Sequence, residues 1–280
     1  MVRLRYLIPA LAAAVALAIP ALAQFGPGPG GRAPYGNQPP GKNEAGRFDY
    51  YALVMSWSPT HCAVNARGPS DQQCNPRSGR GYSFVLHGLW PQYERGFPGD
   101  CPTRERPFVP QQTINSMLDI MPSPPLIIYE YKKHGTCSGL SPEAYYDLSR
   151  KLFTKVKVPP RYERPNQAFF VTPAELIQDF TSVNPTLKAE NLAVVCGGPG
   201  GRMREIRVCF SREGEFRACG QNENPRRLCN LPRMYVPPVR DTAAAGRQPP
   251  PPAQPAPQQR GTSPLPGPAD IPAVRGERKI

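Results

Sequence analysis

Histidine is scarce in this chain, with three residues in 280, and tryptophan scarcer still, with two. There is no His-Glu-x-x-His, the spacing a helix uses to hold zinc with two imidazoles, and no Cys-x-x-Cys, the close pair a zinc ribbon needs. Acidic side chains are outnumbered, 21 against 34 basic, for a formal charge of +13. A partner of strongly positive charge is therefore disfavoured, and a polyanion fits, although the same charge also serves solubility alone. Beyond the first two dozen residues no apolar run is long enough to cross a bilayer, so no membrane span is expected. No internal repeat is visible.

The chain opens with Arg3 and Arg5, an apolar run from Leu7 to Leu22, and Ala21-Leu22-Ala23. This is the pattern of a signal peptide over residues 1–23, with Pro9 and Pro20 interrupting a run already short for a membrane anchor. Its removal, with two arginines, lowers the formal charge from +13 to +11. Residues 24–46 are rich in Gly, Pro, Asn and Gln and read as a flexible leader. Residues 237–280, with Pro249-Pro250-Pro251-Pro252 and scattered arginines, read as a disordered basic tail. Between them, residues 47–236 suffice for one domain. All eight cysteines fall inside it, and in an exported chain they read as four disulfides. Counting does not fix their pairing, and export leaves both the periplasm and the cell exterior open.

Within the domain, Tyr51, Leu53, Met55 and Trp57 alternate with smaller residues, predicting a central strand over Tyr50–Trp57 that Pro59 ends. Asn65 to Gly81 reads as a loop, with Cys62 and Cys74 near its base. A second strand is predicted at Tyr82–His87, with Gly88-Leu89-Trp90-Pro91 turning the chain away. Helices are predicted at Pro110–Met121, from Ser141-Pro142, and at Thr172-Pro173-Ala174-Glu175, a capping box with proline at the first helical position. Strands return at Leu192–Cys196 and at Arg204–Phe210, whose alternation of charge and apolar residues predicts a half-exposed strand. The mixed order gives the α+β class.

Two segments concentrate reactive side chains. In Tyr129-Glu130-Tyr131-Lys132-Lys133-His134-Gly135-Thr136-Cys137, an acid, two cations and an imidazole share nine residues. Ser123 and Pro124 suit a helix start and Gly135 a left-handed end, so Glu130 and His134, four apart, should share a face. The other segment, Ser83 to Gln92, carries His87 and Trp90. Two imidazoles facing each other act as base and acid at once, which phosphodiester cleavage needs, and a lysine offsets the charge that builds on the phosphorus oxygens. A zinc site of His87, Glu130 and His134 is the alternative on ligand type, but Lys133 would repel the ion. His61, outside both segments, reads as structural.

His87-Gly88-Leu89-Trp90-Pro91 and Glu130 through Cys137 resemble the two active-site segments of the ribonuclease T2 family, secreted acid endoribonucleases of little base specificity. The resemblance runs from about Phe48 to Cys229 and takes in Ser56-Trp57-Ser58-Pro59 and the cysteine positions. It implies an antiparallel-sheet α+β domain with packed helices, acting without metal or other cofactor, as a monomer, on single-stranded RNA. In the implied reaction the ribose 2′-hydroxyl attacks the adjacent phosphorus, a 2′,3′-cyclic phosphate forms and is then hydrolysed. DNA, lacking that hydroxyl, should survive. By position His134 matches the base, His87 the acid, and Glu130 and Lys133 the groups that stabilise the transition state. Trp90 matches a base-stacking ring; Gln92, Tyr129 and Lys132 are further candidate substrate contacts. Tyr129 is a departure, since many members carry a third histidine there; tyrosine donates a hydrogen bond but brings no positive charge. The implied disulfides are Cys62–Cys74, Cys101–Cys137, Cys196–Cys229 and Cys209–Cys219. The rival class is a secreted RNA- or polyanion-binding protein that keeps the scaffold without catalysis.

Overall fold

A computed structural model describes residues 43–65, 71–74 and 81–239. The predicted signal peptide, nearly all of the leader, most of the loop between Asn65 and Gly81, and the tail beyond residue 239 lie outside the described residues.

Among the described residues six strands form one sheet in the order β2-β1-β5-β6-β3, with β4 also paired to β5. The central strand is β1, Tyr50–Trp57, antiparallel to β2 (Phe84–Gln92) on one side and β5 (Arg202–Phe210) on the other. β4 (Leu192–Gly197) pairs antiparallel with β5, and β3 (Phe169–Val171) with β6 (Met234–Val236). A single parallel pair, Arg202 with Tyr235, joins β6 to β5. The α+β class is as the sequence implies. The alternating residues Leu53, Met55 and Trp57 are fully buried, packed with Ile127, Tyr145, Leu152, Phe180, Ile206 and Val208 in one core between sheet and helices.

Helix starts follow local chemistry. In α3 (Pro124–Glu130) the Ser123 hydroxyl accepts from Leu126 N–H, and in α5 (Pro142–Lys155) the Ser141 hydroxyl accepts from Ala144 N–H. In α7 (Pro173–Val183) Thr172 and Glu175 form the reciprocal capping box, at 3.1 and 2.7 Å. Thr172→Ala is expected to cost about 1 kcal/mol; a urea midpoint unchanged from wild type would show that the box adds nothing here.

The expectations fail where long-range pairing decides. Ser58–Asn65 forms a helix, α1, before the predicted loop. The strand thought to end at His87 runs on through Gln92, because Gly88 to Pro91 stay paired with β1. The first predicted helix is shorter, α2 covering Gln111–Met117. Gly135 does not end its helix: it is right-handed at φ −60°, inside a π turn, Tyr131–Gly135, that follows α3 and leads into α4 (Thr136–Ser138). A Cβ on Gly135 would stand 2.3 Å from Tyr131 Cδ2, so the glycine is there for the ring that packs on it. Gly139, at φ 77°, is the left-handed terminus. β5 is not half-exposed, since Arg207, with Trp90 and Glu223 against it, is 3% exposed. The small elements α6 (Pro160–Glu163), α8 (Pro225–Leu228), β3 and β6 are not among the predicted ones, although Asn224 caps α8 and a proline opens both helices.

All four implied disulfides are present: Cys62–Cys74, Cys101–Cys137, Cys196–Cys229 and Cys209–Cys219. Among the described residues no helix is long and apolar enough to cross a membrane.

Candidate active site

The two reactive segments meet along β2, the edge strand. Val54 lies opposite Gly88 and Met55 opposite Leu86, so His87 is the extra residue of a β-bulge. The bulge lets Leu86 and Leu89, an odd number of residues apart, both reach the core, and it re-aims the imidazole between them. His87 Nδ1 stands 3.1 Å from Glu205 Oε1 and 3.4 Å from Ser56 Oγ, while Nε2 stands 3.7 Å from Glu130 Oε1.

Glu130, at the end of α3, is 1% exposed. Trp90 Nε1–H donates to its Oε2 at 2.7 Å. The indole is the common wall of the site: His134 stacks on it at 4.9 Å and 22°, and His87 meets it edge-on at 5.3 Å. The Arg207 guanidinium also lies over the ring, 4.9 Å from its centre. Gly88 leaves room for this arrangement, since a Cβ there would be 2.2 Å from Glu130 Oε2 and 2.6 Å from Trp90 Nε1.

The π turn delivers His134 to the indole, and His134 is buried, with an Nδ1 that has no hydrogen-bond partner. Lys133 pairs with Asp100, whose backbone N–H bonds the Lys133 carbonyl at 2.8 Å. With Cys101–Cys137 beside it, that contact straps the loop after β2 to the turn. Tyr129 is 55% exposed and Lys132 is exposed. Gln92 is buried and its Oε1 accepts from Asn222 at 2.9 Å.

These surroundings set the protonation states. Burial works against a charge on His87, but the hydrogen bond to Glu205 and the charges of Glu130 and Glu205 outweigh it, and its pKa stands above the ordinary value. His134 goes the other way: burial, with the charges of His87, Lys133 and Arg207, pushes it down to about 3. Burial raises Glu130 to about 7, against the charge of His87 and the Trp90 hydrogen bond. Glu205, although burial opposes its charge, is held at about 2 by its hydrogen bond to His87 and by the charges of His87, Arg207 and Arg204. Surroundings that favour a charged His87 and a neutral His134 thus meet on one aromatic wall, the separation that acid–base catalysis uses.

Glu205 and Arg207 were missed in the sequence because alternation alone made them solvent-facing, and the groups that cover that face, His87, Trp90 and Glu223, are distant in sequence. His61 lies apart, 3.3 Å from Asp71 Oδ2. Cys74 is near them, but its sulfur is bonded to Cys62 and offers no thiolate to a metal.

Residues 48–219 match the model of the ribonuclease T2 family. A ribonuclease of Aeromonas hydrophila is 36% identical over 215 residues, 71% of this chain and 90% of that one. A probable ribonuclease of Haemophilus influenzae is 28% identical over 195 residues, 64% of each chain. Among solved structures, an RNase-related protein from Calystegia sepium superposes with a TM-score of 0.53 at 21% identity, over 69% of this chain and 99% of that one. RNase NT in complex with 5′-AMP gives 0.51 at 21% identity, over the same shares. With the match covering more than half of its residues and both motifs joined in one site, this chain belongs to the ribonuclease T2 family.

Proposed function

We propose that this endoribonuclease cleaves single-stranded RNA by metal-independent transphosphorylation. Neutral His134 takes the proton of the ribose 2′-hydroxyl, which attacks the adjacent phosphorus. The 5′-oxygen leaves with a proton from His87, and a 2′,3′-cyclic phosphate forms. In the slower hydrolysis the roles reverse, with His87 activating water and His134 returning its proton to the 2′-oxygen, leaving a 3′-phosphate. The observation that carries this reading is the pair of imidazoles set against the one indole of Trp90, in surroundings that favour the charged form of His87 and the neutral form of His134. Glu130 and Lys133 stabilise the crowded phosphorus, Glu130 as the buried group facing His87 Nε2. Trp90, Tyr129 and Lys132 contact the substrate, Tyr129 as a hydrogen-bond donor without charge. Gln92 contributes through the strand end it anchors.

Four disulfides in one domain support folding in an oxidising compartment, secreted or periplasmic, after removal of residues 1–23. The enzyme acts as a monomer through the domain at 47–236.

Incubated with single-stranded RNA at mildly acidic pH and excess EDTA, the protein is expected to leave 2′,3′-cyclic phosphate ends at the rate seen without chelator. The same strand made of deoxynucleotides is expected to survive. Binding without cleavage would instead support the non-catalytic scaffold, and activity lost to EDTA and restored by zinc would sink the metal-free mechanism.

A further inference from the structure

We infer that Glu205 is the positioning residue of the acid His87, and that Arg207, Glu223 and Tyr50 form the frame that holds Glu205 in place. The inference rests on the role of His87 proposed above and adds to it a chain of buried groups behind the imidazole.

Along β5, Glu205, Arg207 and Cys209 alternate with the core residues Ile206, Val208 and Phe210, so all three lie on the sheet face away from the main core. Glu205 divides its two oxygens. Oε1 takes His87 Nδ1–H at 3.1 Å, and Oε2 stands 3.4 Å from Arg207 Nη2. The other arm of Arg207, Nη1, stands 3.5 Å from Glu223 Oε1, and the Tyr50 hydroxyl donates to Glu223 Oε2. The frame is shut from water, with the side chains of Arg207 and Glu223 3% and 0% exposed. It is also tied covalently: the Cys209–Cys219 bridge joins β5 to the segment that leads into the turn Gln221–Glu223, and Tyr50 and Ala52 pack against that bridge.

Such a frame does two things for His87. A carboxylate on Nδ1 fixes the tautomer and ring orientation, so that Nε2 is the nitrogen presented toward Glu130 and the cleft. Its negative charge also keeps the imidazolium form in being. The groups facing His87 are Ser56 from β1, Glu205 and Arg207 from β5, Glu130 from α3 and His134 from the π turn. Of the two carboxylates, Glu130 is the one burial drives toward its neutral form, which leaves Glu205 as the standing negative charge. Arg207 is tied to Glu223 as well as to Glu205, so it anchors Glu205 without cancelling it outright.

A residue that acts through the acid matters only when the leaving oxygen needs a proton. The test therefore compares two substrates, a dinucleoside phosphate, whose 5′-alkoxide must be protonated, and a ribonucleoside 3′-(4-nitrophenyl phosphate), whose phenolate leaves without help. Glu205→Gln is expected to lower kcat on the dinucleoside phosphate by about 10- to 100-fold, to leave the aryl ester within about threefold, and to move the alkaline limb of the pH–kcat/KM profile toward lower pH. Equal losses on both substrates, or no loss on either, overturn the positioning role. His87→Ala is run beside it: if that variant shows no dependence on the leaving group, the acid assignment itself has failed, whereas a selective His87→Ala beside an unselective Glu205→Gln rejects the positioning role alone. If Glu205→Gln does not fold because Arg207 is left short of a partner, Glu205→Gln combined with Arg207→Gln removes both charges and answers by the same two rates.

Discussion

Replacing His134 by alanine is expected to lower kcat/KM on RNA by about 10²- to 10⁴-fold, the span that a positioned general base contributes. The ring is stacked on Trp90 in a buried setting, so no water-borne base occupies its place with the same orientation. A rate within threefold of wild type would remove His134 from the mechanism. The variant carries a second signature with the opposite sign. The folded protein holds His134 at about 3, below the ordinary 6.5, so between those values the unfolded chain takes up a proton that the native state refuses. Stability from this group is therefore lost as pH falls through that window, by up to about 1.4 kcal/mol per pH unit. His134→Ala removes this loss while leaving a cavity at every pH. Its deficit in unfolding free energy against wild type should be largest near pH 7 and shrink toward pH 4. A deficit that stays constant would mean that the imidazole titrates alike in both states. Glu130, raised to about 7, works the other way between 4.5 and 7 in both proteins, so the comparison between them is what isolates His134.

What the sequence made legible here was local. The capped starts at Ser123, Ser141 and Thr172 depend on three or four consecutive residues, and each formed as expected. The alternating run of β1 predicts a central strand, and β1 pairs on both sides, with β2 and with β5. The cysteine pairs came with the family resemblance, which carries three-dimensional information that spacing lacks. The features that turn a motif into a site were not local. The bulge at His87 exists only against the register of β1. Glu205 and Arg207 looked like a solvated face, and it is His87, Trp90 and Glu223, distant in sequence, that pack against them. Lys133, whose charge acts on His134, also pairs with Asp100 across the strapped loop, a partner its place in sequence does not show.

Gly88→Ala is expected to produce a loss comparable to removing an imidazole, although it removes no functional group. On backbone preference alone alanine in a strand gains about 0.5–1 kcal/mol over glycine. Here the added Cβ would enter the space between Glu130 Oε2 and Trp90 Nε1, at 2.2 and 2.6 Å, and those two atoms are partners in one hydrogen bond. Neither side chain retreats freely, because Glu130 is 1% exposed and Trp90 is held between His134 on its face and His87 at its edge. Overpacking of this kind costs about 1–3 kcal/mol, which exceeds the backbone gain. The larger effect is on chemistry, since a displacement near 1 Å costs roughly 100-fold in rate, and this one falls on the ring that both imidazoles share. The expected variant is folded, with β1 and β2 still paired, and slower by about 100-fold or more. Trp90→Phe separates the two consequences of the clash, because it deletes the N–H donor while leaving a ring against His134. It should lose less than Gly88→Ala. If the two variants lose equally, the hydrogen bond to Glu130 is what the glycine protects, and if Gly88→Ala cleaves RNA at the wild-type rate, the close approach at residue 88 has no part in holding the site.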